Sequence, residues 1–328
     1  MPVIGFHSSH EQVHPSVLLA AVQQAEEVGF TAAMCSDHIT PWSQAQGQSA
    51  FAWSWLGAAL QSTGLPYGVV NAPGQRYHPA IIAQAIATLG AMYEGRFWVA
   101  LGSGQNMNEH VTGAGWPRKE VRMARLRECV DVIRALLAGE EVTHEGLVTV
   151  DRARVFTLPA TPPPLIAAAV TPVTARWAGE WGDGLITINQ PPEVLREVVD
   201  GYRSAGGRGP LVLQVHLAYA ASYEQALSLA HEQWRTNTAA PPVPWDLDTV
   251  EAFEAAAYAV RPEDVTRSVF VSADPGEHAA HLNGLADLGF DEIYLHHVGQ
   301  TQTEFLDVFG AKVLPQLDVR PKPAALVA

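Results

Sequence analysis

The sequence predicts an α/β protein, a (β/α)8 TIM barrel with insertions. Strand-like and helix-like segments alternate from one end to the other, and eight apolar runs of strand length can be counted. The 328 residues are a normal length for one barrel carrying an insertion. Regular alternation means a parallel sheet with helices outside it. An open doubly wound sheet and a closed barrel both satisfy the pattern, and eight units over this length favour the barrel.

The first strand is read over Val3 to His7, and Pro15 to Val28 follows with Val17, Leu18, Ala21, Ala25 and Val28 on one helical face. Gly29 stops that helix, and Thr31 to Cys35 is the second strand. Leu65 to Asn71 is the third, Pro79 to Met92 an apolar helix, and Arg96 to Leu101 the fourth strand. Lys119 to Leu137 is a strongly periodic helix. The remaining strands are Leu165 to Ala169, Leu185 to Ile188, Leu211 to Ala218 and Ile293 to His296. Helices over Pro172 to Trp181, Pro192 to Ser204, Tyr223 to Thr236 and Glu304 to Val313 separate and follow them. The Pro-, Asp- and Ala-rich stretch 237–265 is off this pattern and reads as an insertion before the last strand, a lid or rim. Residues 1–318 are thus one domain, with a Pro/Ala-rich tail at 319–328.

Apolar residues make up 48% of the chain, enough for a large core. The net charge of −14 repels nucleic acid and anionic membranes, so neither is an expected partner. It also disfavours a multiply charged anionic substrate unless a local basic pocket compensates. Two cysteines, Cys35 and Cys129, exclude a disulfide framework and a CxxC metal site, and fit a reducing cytosol. The first residues have neither the basic nor the apolar region of a signal peptide, and no run is long enough to span a bilayer. A cytoplasmic enzyme is expected.

Catalytic groups of a barrel sit just past the strand C-termini. Those positions hold His7, His10 and Glu11 after the first strand, Asp37-His38 with Trp42 after the second, and Gly102-Ser103-Gly104 with Gln105, Asn108 and Glu109 after the fourth. A rim histidine can act as acid, base or donor near neutral pH, and Trp42 can wall a ligand. The structural alternative is that Asp37 caps a turn and His38 is solvated. Gly102 and Gly104 let the backbone approach a flat ligand, or simply make a tight turn. Ala169-Val170-Thr171 leads a small-residue strand into a helix N-terminus, which suits a phosphate; a well-packed strand is the other reading. Of Trp42, Phe51, Trp53 and Trp55, at least two are expected in the core. His7 and His10 are three apart and His296 and His297 adjacent, spacings that do not make a metal site, so no metal is expected.

Ser36-Asp37-His38 with Pro41-Trp42, Arg76-Tyr77-His78-Pro79-Ala80 and Gly102-Ser103-Gly104 make the chain resemble the luciferase-like superfamily of flavin oxidoreductases. It is most similar to the branch of deazaflavin-dependent glucose-6-phosphate dehydrogenases. The resemblance implies a flavin-type cofactor lying across the strand ends. Asp37 would touch its ring, and His38 and Trp42 would face the substrate. Val69-Val70 would form a non-prolyl cis peptide against the ring. Gly104, Gln105 and Asn108 would line the ring and ribityl side, and Ala169 to Thr171 would meet the phosphate. His7, Glu11, Trp42 and Trp53 would form the substrate pocket. Where that branch has a catalytic glutamate, this chain has Gln105, which exchanges no proton; Glu109 lies four residues on. The lysines that would bind a sugar phosphate are missing, since 185–198 and 237–265 contain none. With so few lysines for a polyanionic coenzyme tail, and with likeness to a sub-branch described as non-deazaflavin flavin oxidoreductases, FMN is expected in preference to the deazaflavin. The expected activity is an FMN-dependent oxidoreductase or monooxygenase on a small neutral organic substrate, fed by a flavin reductase or a reduced nicotinamide. A deazaflavin-dependent alcohol or sugar dehydrogenase and a non-catalytic flavin-binding barrel are the alternatives. The family implies a homodimer.

Overall fold

A computed structural model of the protein describes residues 2–317; the tail at 319–328 lies outside them. Among the described residues eleven strands occur: β1 (Val3–Ser8), β2 (Ala32–Ser36), β3 (Tyr67–Asn71), β4 (Phe97–Leu101), β5 (Val142–Glu145), β6 (Thr149–Ala153), β7 (Leu165–Ala168), β8 (Leu185–Ile188), β9 (Leu211–Ala218), β10 (Phe270–Val271) and β11 (Glu292–His297). Eight of them close a parallel barrel in the order β1-β2-β3-β4-β7-β8-β9-β11, with β11 returning to β1 and β8 to β9. All eight strands read from the sequence are these barrel strands, with ends within two residues. The helices are α1 (Pro15–Glu27), α2 (Ala52–Ser62), α3 (Pro79–Met92), α4 (Asn106–Glu109), α5 (Lys119–Leu137), α6 (Pro172–Ala178), α7 (Pro192–Ser204), α8 (Tyr223–Trp234), α9 (Val243–Asp246), α10 (Val250–Ala256), α11 (Pro275–Ala286) and α12 (Gln302–Val308). Five of them, α1, α3, α6, α7 and α11, begin on proline, whose missing N–H would have no partner there anyway.

Side chains alternate along each strand, so every second residue points into the barrel. Trp98 and Tyr294 fill the middle, their rings edge to face at 5.8 Å. Glycine makes room for them: a Cβ at Gly68 would stand 2.0 Å from the Trp98 ring, and one at Gly5 2.3 Å from the Tyr294 ring. Val3, Met34, Ile166, Ile186 and Val212 complete this plug. The opposite strand faces and the helices share a second, larger core.

Three features differ from the expectation. The antiparallel hairpin β5–β6 lies between β4 and β7. The stretch 237–265 does hold off-pattern short helices, α9 and α10, but β10 and α11 follow before the last barrel strand. The Val69–Val70 peptide is trans. Both residues sit in unbroken ladders on either side, Val69 with Cys35 and Val99, Val70 with Ser36 and Ala100, which holds the backbone regular. The cis bond among the described residues is Pro241–Pro242.

Candidate active site

The end of β2 is held by one buried carboxylate. Asp37 accepts hydrogen bonds from Trp53 Nε1 (3.0 Å), Asn71 Nδ2 (2.9 Å) and Tyr77 OH (3.2 Å), and Arg76 stands 3.7 Å away. Its carbonyl accepts from Arg76 at 2.5 Å and its N–H donates to Val70. With both oxygens occupied, Asp37 fixes the loop that presents His38. Trp53 is therefore a structural residue: it packs on Phe97 and gives its N–H to Asp37. Trp55 is buried beside Tyr67, whereas Phe51 is exposed.

His38 is the partly exposed member of this loop. Its Nδ1 lies 2.5 Å from Oε1 of Glu11, which is buried at the end of the first strand's loop. Ser9 donates to the other oxygen of Glu11 at 2.9 Å. Burial pushes the Glu11 carboxyl up, but the hydrogen bond and charge of His38, helped by His7, outweigh it and hold it down at about 2. An ionised carboxylate accepts only, so Nδ1 of His38 carries the proton and Nε2 is left for a ligand. The ring stands edge-on to Trp42 at 5.1 Å, and Trp42 in turn meets Phe253 of α10 at 5.4 Å. Phe253 is a residue the sequence pattern did not single out, because 237–265 lacks periodicity.

The loop after β4 braces this arrangement from below. Asn108 is buried, and its Oδ1 accepts from the amides of Ile39 (2.9 Å) and Thr40 (3.3 Å), so it clamps the His38–Trp42 loop. Glu109 is also buried: Oε2 accepts from the Arg76 amide at 2.8 Å, and Oε1 is 3.6 Å from its guanidinium. Burial raises its pKa, against the pull of Arg76. It backs onto Gly104, whose φ of +78° suits glycine and whose added Cβ would meet Glu109 Cγ at 2.8 Å. Glu109 thus shapes the turn, and its Oε1 is buried without a hydrogen-bond partner. Gln105 remains at the rim, half-buried, its Oε1 3.4 Å from Asn108 Nδ2.

The inner wall at the strand ends has two unlike halves. Val70, Gly102, Ala168, Val170 and Ile188 are small or apolar and keep some exposure. A Cβ on Gly102 would stand 3.5 Å from Ala168 Cβ, so the glycine leaves the floor open and flat. Opposite lie His7, Gln214, His216 and His296, all buried. Beyond the floor, Thr171 caps α6 by accepting from the Thr174 amide, while Ala169 faces the outer core. Lys119 places its ammonium 3.1 Å from Thr174 Oγ1, a cation beside that cap which sequence spacing could not have found. Among the described residues no cluster of histidine, cysteine and carboxylate side chains could hold a metal ion, and no helix is long and apolar enough to cross a membrane.

A parallel barrel with a carboxylate-oriented histidine beside an open apolar floor at its strand C-termini has the layout of a barrel enzyme's active site. The comparisons agree, and the chain belongs to the luciferase-like monooxygenase family, whose model matches residues 2–292. It is 36% identical to an F420-dependent glucose-6-phosphate dehydrogenase of Intrasporangium calvum, over 96% of this chain and 98% of that one. A second such enzyme, from Nakamurella multipartita, is 33% identical over 95% and 96%. Among solved structures, an F420-dependent secondary alcohol dehydrogenase in complex with an F420-acetone adduct superposes with a TM-score of 0.88, at 29% identity over 96% of this chain and 99% of that one. The protein is a luciferase-like oxidoreductase.

Proposed function

We propose that the protein is a deazaflavin (F420)-dependent dehydrogenase of a small, uncharged alcohol, or a reductase of the matching carbonyl compound. The observation that carries this reading is the Glu11–His38 pair set beside the open floor of Val70, Gly102, Ala168 and Ile188. The expectation of FMN gives way here. The relatives above 30% identity and the solved structure at TM-score 0.88 are described as F420-dependent. A monooxygenase with a TM-score of 0.72 is 21% identical and supports the fold alone.

The residues fit such a cofactor. The floor is flat and free of side-chain bulk at Gly102, and Thr171, Thr174 and Lys119 give a polar, cationic end for a phosphate. When bound, the deazaflavin supplies a hydride acceptor or donor. This chain's residues would manage the proton. His38 Nε2 takes the proton of the substrate hydroxyl, or returns it, while Glu11 fixes the ring and stabilises its protonated form. Gln105 holds no exchangeable proton, so it donates or accepts a hydrogen bond only. Trp42 packs against the substrate and excludes water. Phosphorylated sugars are disfavoured, because 185–198 and 237–265 hold no lysine.

Titrating purified protein separately with F420 and FMN, then adding a panel of secondary alcohols and glucose 6-phosphate, tests the reading. Tight F420 binding and its reduction by a neutral alcohol are expected. Exclusive binding of FMN would overturn it.

A further inference from the structure

The histidine half of the mouth is wired by hydrogen bonds whose directions can be worked out from its two ends. At one end Asn189 Nδ2 donates to the Ser268 carbonyl at 3.1 Å, which identifies its Oδ1 as an acceptor. That oxygen lies 3.0 Å from the His216 amide and 2.8 Å from its Nδ1, so Nδ1 carries a proton. Nε2 of His216 is then a lone pair, 3.2 Å from Gln214 Nε2. The same amide nitrogen lies 3.2 Å from Nδ1 of His296. Its two hydrogens supply one bond to each ring. His296 is left with its proton on Nε2, which donates to Gln12 Oε1 at 2.7 Å. The other end agrees, because Gln12 Nε2 donates to the Val298 carbonyl and to Gln233 Oε1.

Both chain ends rest on backbone carbonyls, which only accept. Turning the Gln214 amide round would require both nitrogens of His216 to be protonated. That is a buried cation, and burial, with a smaller effect of His7, lowers its pKa to about 3. In the wired state neither ring has a lone pair left to take a proton. His7 lies against His296, ring centroids 4.4 Å apart and planes tilted by 33°, and its Nδ1 is buried without a partner. The charged or titratable groups around His7 are Glu11, His10, His38, His216 and His296; burial dominates and lowers its pKa to about 4.

We propose that Gln214, His216 and His296, with His7 set against His296, form the specificity wall of the substrate site, one that accepts an oxygen of an uncharged alcohol or carbonyl compound and rejects phosphorylated or carboxylated analogues. The proposal rests on reading the strand-end mouth as the substrate site. An anion brought against this wall loses water and meets no positive charge. The wall cannot supply one, because Gln214 occupies the lone pair that either ring would need. His7 gives the substrate oxygen its hydrogen bond.

Two measurements on the full chain test this, both without cofactor. Nitrogen-15 histidine NMR at pH 7 should show His216 protonated at Nδ1 and His296 at Nε2, both neutral down to pH 5.5. Gln214→Ala frees both lone pairs, and a ring of the pair should then titrate nearer the ordinary histidine value of about 6.5. Second, with 1,2-propanediol and its monophosphate as probes, the ring signals of His7 and His296 should shift with the diol. The phosphate should need a concentration about a hundredfold higher. Gln214→Ala should narrow that gap at pH 6 and leave it intact at pH 8. A protonated ring at pH 7, or equal response to diol and phosphate, would overturn the proposal. Neither arm needs F420, so failure to bind it would count against the dehydrogenase reading alone.

Discussion

At the scale of single residues, the proposed function separates groups that would do chemistry from groups that hold them. In it His38 is the group that meets the ligand, with Glu11 hydrogen-bonded to it from behind. Replacing His38 by alanine should lower kcat by about 10²-fold or more, as for the loss of an acid–base group, with cofactor affinity nearly unchanged. Glu11→Gln keeps the shape but removes the charge that holds Nδ1 protonated. It should lower kcat less, by about tenfold, and move the pH profile of kcat/KM, because the imidazolium loses its carboxylate. Steady-state rates across pH for both variants decide this. An unchanged profile in Glu11→Gln would remove its role. Asp37, in contrast, already has Trp53, Asn71, Tyr77 and Arg76 around it, which explains why position alone made it look like a ligand group. A strand-end carboxylate reads the same in sequence whether it faces the ligand or the protein.

At the scale of elements, the barrel strands were legible because each is a short apolar run between a helix stop and a polar turn. Proline at the starts of α1, α3, α6, α7 and α11 marked the other boundaries. The hairpin β5–β6 escaped because its residues are largely exposed and lack an apolar signature. The insertion was visible only as a break in pattern. It meets the loop carrying Trp42 through Phe253, with Met107, Leu247 and Val250 in the same small cluster. Glu254 beside it accepts from the Gln44 amide at 3.1 Å and from Arg235 at 2.5 Å, so α10 is tied to the loop carrying Trp42. Phe253→Ala should free Trp42 to leave its edge-on contact with His38. KM should rise about tenfold with a smaller change in kcat, since removing one large apolar contact is worth about 1–3 kcal/mol of binding. Limited proteolysis should also cut the variant sooner between α8 and β10. A variant with unchanged KM and proteolysis would show that the insertion does not hold the tryptophan.

At the scale of the whole molecule, the histidines make stability depend on pH in a stated direction. Burial lowers His7 and His10 to about 4 and His216 and His297 to about 3, and it lowers His278 and His296 as well. Unfolded, each would take a proton near its ordinary value of 6.5. Below that pH the unfolded chain binds more protons than the folded one, so stability falls as pH falls. Each such histidine contributes a slope of about 1.4 kcal/mol per pH unit. Two of them acting between pH 6.5 and 5 already remove about 4 kcal/mol, a large share of a typical folding free energy of about 5–15 kcal/mol. Glu11 works on a different range: with its carboxyl at about 2, its contribution is complete above the ordinary carboxylate value of 4.5 and is lost only as pH falls from there toward 2. Tm should therefore be level above pH 7.5 and drop by about 10 °C or more between pH 7 and 5.5, above the range in which the Glu11 contribution changes. Calorimetry over that range gives the answer. A Tm that stays constant to pH 5 would mean that these rings are hydrated or protonated in the native protein, and would count equally against the neutral wall of the mouth.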